Sequence, residues 1–157
     1  MTTGGDDVAR FWAAYAAATG ASGPYTAWGF GDESMPELMT ELGRLVRDGP
    51  KRATTGREVD YAAEGEPLPT VGDHAVILDG EGRPQCIIRT TAVEIRPFGE
   101  VDEAFAWDEG ENDRTLAGWR AAHQWYFATV GTPITDDTRV VLERFAKVWP
   151  PPADPGG

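Results

Sequence analysis

Ala75-Val76-Ile77-Leu78-Asp79-Gly80-Glu81-Gly82-Arg83-Pro84-Gln85-Cys86-Ile87-Ile88-Arg89-Thr90-Thr91 is the stretch on which the fold class turns. Two apolar runs flank the turn-forming cluster Asp79 to Gly82, which predicts strands at Ala75–Leu78 and Gln85–Thr91. Downstream, Val93-Glu94-Ile95 alternates as a strand does, and Pro97 ends it. Arg139 to Val148 is a further β run holding Val140, Val141, Leu142 and Phe145. Helical spacing occupies the flanks. In Asp6–Thr19, Val8, Phe11, Trp12 and Tyr15 recur at i, i+3, i+4 and i+7, and Gly20 is a stop. A second helix is expected over Ser34–Asp48, with Ser34 as cap, Glu37 completing a capping box and Pro36 in the first turn. Leu38, Leu42, Leu45 and Val46 form its inner face, and Gly49-Pro50 ends it. Leu116–Thr129 reads as a third, with Trp119, His123, Tyr126 and Phe127 on one side. Strands and helices do not alternate regularly, which excludes a doubly wound sheet. The pattern predicts an α+β domain with a small, curled, mostly antiparallel sheet and helices outside it.

Composition narrows the function classes. Hydrophobic residues are 41% of 157, and six Trp, four Tyr and six Phe supply the apolar surface of a packed core. The longest apolar stretches fall far short of the roughly 20 residues that span a membrane. The start has no basic patch, apolar run and small-residue cleavage site, and Cys86 is the one cysteine, so a cytoplasmic location is expected. Residues 1–22 are expected to hold a flexible start and the first helix, 23–149 one domain, and 150–157 a disordered Pro/Gly tail. A formal charge of −12 disfavours coating of long nucleic acids, so no DNA duplex partner is expected.

That charge conceals a local inversion. Arg44, Arg47, Lys51, Arg52 and Arg57 stand against the single acid Asp48, whereas Glu100–Asp113 carries seven acids and no base. The plain alternative is a solvated helix end and an acidic loop. Against it, Lys51 follows a Gly-Pro break, and Thr54 shares a pocket with it if the segment turns. Phe105 and Trp107 give the acidic stretch groups that fold it against the body. Desolvation in such a pocket can strip a proton from a lysine or leave one on a glutamate, the raw material of acid–base chemistry.

At these residues the sequence resembles ASCH-domain proteins of the PUA-like group. The hallmark Gly-x-Lys-x-x-Thr run appears as Gly49-Pro50-Lys51-Arg52-Ala53-Thr54. An ordered series follows and precedes it: Trp28-Gly29-Phe30-Gly31-Asp32, Glu64 to Pro69, Val71-Gly72-Asp73, Val76 to Gly80, Pro97-Phe98, Glu109 to Asp113, Trp119-Arg120, His123 and Glu143-Arg144-Phe145. The chain departs from the pattern at Gly56, where relatives often carry a small hydroxyl residue, and at Leu142, where they often carry Cys. The resemblance implies a small PUA-like β-barrel flanked by helices, with a cleft. It implies RNA binding, cleavage of single-stranded RNA, or removal of an acyl group from the exocyclic amine of cytidine. In the amide-hydrolysing relatives a Lys, a Thr and a Glu act; by motif these fall on Lys51, Thr54 and Glu111, with Glu109 as the fallback.

Each activity makes its own demand. Amide hydrolysis needs a nucleophile (Thr54), a base (neutral Lys51, helped by nearby cations) and Glu111 at the leaving amine or oxyanion. RNA cleavage would use Lys51 with Arg52 or Arg57 on the phosphate; His74 and His123 read as structural. A non-catalytic RNA-binding regulatory module needs only bases and stacking aromatics. Trp28, Phe30, Tyr61 and Trp107 are the candidate aromatics, with Arg52, Arg57 and Arg114 as cations. The expected partner is single-stranded RNA or a nucleoside, with no membrane. No cofactor is expected, and no metal, because Cys86, His74 and His123 lack ligand spacing.

Overall fold

The structure, a computed structural model, describes residues 4–151; the expectations for residues 1–3 and 152–157 lie outside them. In chain order the elements are α1 (Gly4–Thr19), β1 (Thr26–Trp28), α2 (Pro36–Asp48), β2 (Ala53–Arg57), α3 (Glu58–Ala63), β3 (His74–Leu78) and β4 (Pro84–Pro97). A single 3-10 turn (Phe98–Glu100), α4 (Glu103–Glu109), α5 (Leu116–Thr129) and β5 (Arg139–Trp149) follow. The strands form one five-stranded sheet in the order β1-β3-β4-β5-β2. β1 runs parallel to β3, while β3 with β4 and β2 with β5 are antiparallel. This is the α+β class expected, with one parallel pairing added. No helix among the described residues is long and apolar enough to cross a membrane.

Four local expectations change. The runs 85–91 and 93–95 are one 14-residue strand, β4, because Thr91-Ala92 carries no turn former between them. α2 begins at Pro36, not Ser34. Asp32 takes the Ser34 N–H on its side chain (2.8 Å) and the Met35 N–H on its carbonyl (2.9 Å), closing a turn before the helix. The acidic stretch is only partly a loop: its residues Glu103–Glu109 fold into α4, capped by Asp102, whose carboxylate accepts the Phe105 N–H at 2.9 Å, while Glu111 lies in the loop that follows. Such a cap contributes about 1 kcal/mol. Finally, the chain after Lys51 does not turn but extends directly into β2.

Tertiary contacts group the residues into two compact units. One takes the described parts of 1–48, 73–89 and 146–157. Its core holds Val8, Tyr15, Val76 and Ile87, with Phe11, Trp12, Tyr25 and Trp149 packed on it. Trp12 stacks on Tyr25 at 4.4 Å, so α1 is anchored through its aromatic face. The other unit takes 49–72 and 90–145. Ala53, Phe98, Val101, Phe105, Ala106, Trp119, Val140 and Leu142 are its core. Strand alternation sorts the side chains here. Ala53, Val140 and Leu142 belong to the cluster with the α4 and α5 residues, and Thr55 lies on the same face as Ala53. Thr54 and its register partner Glu143 take the opposite face.

Candidate functional site

Everything that bears on the candidate chemistry lies within the second unit and begins with how α4 ends. Glu109 is its last residue, and Gly110 caps it in the left-handed conformation (φ 67°). A Cβ on Gly110 would sit 2.7 Å from the backbone N and Cα of Lys51. Only glycine permits both the handedness and the approach. The Arg52 N–H donates to Asp108 O at 2.7 Å, which ties the Lys51 segment to the end of α4. The reversal at Gly110 leaves Glu109 inside and brings Glu111 back over the same amine.

Lys51 is 1% exposed, and its Nζ donates to Ala53 O at 2.7 Å and to Glu111 Oε2 at 2.6 Å. Glu109 Oε2 is 3.7 Å away. The charges nearest the amine are thus carboxylates, not the cations of the 44–57 run. Three of those cations have partners of their own: Arg47 meets Asp48 and Gln85, Arg57 grips Asp60 through two bonds, and Arg52 donates to Lys51 O.

Glu109 is an acceptor with every side filled. Its Oε1 takes the Thr55 hydroxyl (2.6 Å) and the Trp119 indole N–H (2.8 Å). Its Oε2 faces His123 Nε2 at 2.8 Å as well as Lys51. His123 Nδ1 lies 2.8 Å from Trp119 O, and a carbonyl only accepts, so Nδ1 carries a hydrogen. With Glu109 ionised, Nε2 must donate too, and the ring is an imidazolium. Burial pushes Glu109 upward, yet the His123 and Lys51 charges outweigh it and hold the carboxyl well below its ordinary range. Burial likewise works against the His123 charge, but Glu109 overrides it and raises the imidazole.

Glu111 behaves oppositely. Burial first, and then the neighbouring Glu109 carboxylate, raise it against the pull of Lys51. Its side chain is 19% exposed, so it is the member of the pair that reaches solvent. The cluster therefore contains a fixed anion, two buried cations and one outward-facing carboxyl whose pKa burial raises.

The other sequence candidates scatter. Thr54 faces away from this cluster, across the β2–β5 register from Glu143, which accepts the Thr90 hydroxyl at 2.6 Å. Tyr61 lies over Gly56, where a Cβ would come within 3.1 Å of its hydroxyl; any side chain at position 56 meets that ring. Burial and Glu143 push the Tyr61 phenol up to about 12. Arg114 (φ 62°) stacks its guanidinium 3.5 Å over the exposed Trp107 ring and donates to Trp107 O. Trp28 and Phe30 belong to the first unit, packed edge to face at 4.9 Å with Phe30 buried. Sequence reasoning missed Thr55 and His123 as members. The spacing of Trp119 and His123 was visible, but it gave no sign that their polar atoms meet one carboxylate. Among the described residues no group of three His, Cys, Asp or Glu is placed to hold a metal ion.

The model of the ASCH domain family matches residues 26–149. The chain belongs to that family. A crystal structure of an ASCH domain from Lactobacillus crispatus JV V101 is similar at 30% identity, with TM-score 0.79 over 93% of this chain and 96% of that one. A protein from Enterococcus faecalis V583 is similar at 35% identity and TM-score 0.77, over 90% of this chain and 87% of that one. No curated protein matches the chain.

In this ASCH domain the Gly110 reversal gives a direct test. Gly110→Ala places a methyl group against the Lys51 backbone in a left-handed conformation, an expected loss of about 2–4 kcal/mol from strain and displaced backbone together. Urea unfolding measures it, and a loss under half a kcal/mol would contradict the close approach.

Proposed function

We propose that this ASCH domain recognises a modified nucleoside and hydrolyses an amide on it, the acylated exocyclic amine of a cytidine being the substrate class that the sequence resemblance implies. One observation carries the reading: the buried Lys51 ammonium holds Glu111 at 2.6 Å while Glu111 stays partly open to solvent, its pKa raised by burial. An amine is a poor leaving group unless it receives a proton as the C–N bond breaks, and a carboxyl of raised pKa supplies one. Lys51, too buried to meet substrate, offsets the carboxylate left behind. Thr54 faces away from Glu111, so water is the proposed nucleophile: the ionised form of Glu111 takes the water proton as the C–O bond forms and returns it to the amine as the C–N bond breaks, giving acetate and the free amine.

RNA cleavage is the weaker reading. A phosphorane needs an available cation, and Arg57 is engaged with Asp60 while Lys51 is buried.

Incubation with N(4)-acetylcytidine and, separately, a short labelled single-stranded RNA, followed by chromatography, tests this. The expected result is cytidine and acetate, with Glu111→Gln slower by about 10²–10⁴-fold. Thr54→Ala abolishes turnover if Thr54 attacks and leaves it largely intact if water does. Cleaved RNA with intact acetylcytidine replaces the amidase with a ribonuclease. Neither product, with RNA bound in a steeply salt-dependent way, makes the domain a binding module.

A further inference from the structure

We propose that His123 is a positioning residue for this site: acting through Glu109, its charge sets the pH at which Glu111 gives up its proton. The inference rests on the proposed acid–base role of Glu111 and adds a residue that does not touch substrate.

The geometry is a row of alternating charges. His123 meets Glu109 at 2.8 Å, Glu109 lies 3.7 Å from Lys51, and Lys51 meets Glu111 at 2.6 Å. His123 is fixed at both nitrogens, because Nδ1 is spent on Trp119 O. Its charge reaches Glu111 through Glu109, which acts on both Glu111 and Lys51, and also directly across space. The charged and titratable groups facing the imidazole are Glu109 on α4, Glu111 in the loop after it, and Lys51 beyond Glu109. Trp119 on its own helix contributes a stacked ring at 4.3 Å and the carbonyl.

Counting charges gives the direction. With His123 protonated, ionising Glu111 takes the row from net +1 to neutral. With His123 neutral, the same step takes it from neutral to −1 in a buried setting, which is harder. Loss of the imidazolium therefore raises the pH at which Glu111 ionises. The reciprocal influence is present: Glu111 itself favours the charged form of His123. Glu109 is thus more than packing; a carboxylate at that place transmits the His123 charge to the amine that holds Glu111.

The test is NMR titration of the ¹³C-labelled Glu111 carboxyl in the intact protein, without substrate. Wild type is expected to show a main step and a smaller inflection at the His123 midpoint, as coupled groups do. In His123→Gln, which keeps a donor toward Glu109 but no charge, the main step moves up by about one unit, a tenfold change in the ionised fraction at a given pH. Thr55→Val removes a neutral donor from the same carboxylate and should move it far less. An unmoved Glu111 step in His123→Gln, an equal shift in Thr55→Val, or a single uncoupled wild-type step overturns the inference. The wild-type trace decides alone if His123→Gln does not fold. None of these readouts needs turnover, so an inactive protein with coupled titrations would sink the hydrolase reading and leave the His123 coupling standing.

Discussion

Lys51→Ala is expected to reduce turnover of an acylated cytidine by about 10²–10⁴-fold, the range for losing a working acid–base element. It is also expected to destabilise the fold by about 3–5 kcal/mol, as removal of one member of a buried ion pair does. Both effects share one cause. Lys51 is the cation opposing the burial of Glu111, and without it the carboxyl binds its proton more tightly and cannot cycle. The pH dependence follows by sign. A raised folded-state pKa gives stability that is present below the unfolded value, about 4.3, and is lost as pH rises through the folded one. Lys51→Ala lifts the Glu111 value further, so its deficit should be larger at high pH than at low pH. Urea midpoints for both proteins at about pH 5 and about pH 8 measure this, and a deficit independent of pH would contradict it.

Glu109→Ala should be at least as costly, at about 3–5 kcal/mol, because it strips the acceptor from Thr55, Trp119 and His123 and leaves two buried cations beside a cavity. Glu109→Gln is expected to cost less. A neutral His123 keeps its Nδ1 hydrogen on Trp119 O and turns Nε2 into an acceptor for the new amide, while the amide oxygen still serves Thr55 and Trp119. The price of that accommodation is the charge. In wild type the lowered Glu109 pKa contributes stability above its unfolded value and loses it as pH falls through the folded value. The raised His123 pKa contributes below about 6.5 and is lost as pH rises through its folded value. Glu109→Gln should therefore flatten both limbs of the stability–pH curve. Urea unfolding at steps from about pH 3 to about pH 9 shows whether it does.

The legible part of this fold was the part governed by local chemistry. Helices at 6–19 and 116–129 follow from apolar spacing, and the β3–β4 turn from Asp79-Gly80-Glu81-Gly82, whose Asp79 carboxylate accepts two turn N–H groups. α4 was missed because seven residues, three of them acidic, are too few to show a helical period, and its support is tertiary: Phe105 and Ala106 are buried, and the Asp102 cap completes the start. β2 was missed for a similar reason, since the β-favouring Thr54 and Thr55 stand between the β-poor Ala53 and Gly56, and the strand is held by pairing with β5.

The candidate site divides the same way. The sequence by itself determined the family, through the Gly49 to Thr54 run and the ordered motifs after it, and it paired Lys51 with Glu111 through that resemblance. Only the tertiary structure decided that Glu109 is the hub, that Thr55 rather than Thr54 faces it, and that His123 stands as a cation behind it. The reason is distance along the chain: fourteen residues separate Glu109 from His123 and fifty-four separate it from Thr55. Residue spacing carries no record of which polar atoms will share one buried carboxylate; that is settled by the packing that excludes water around them.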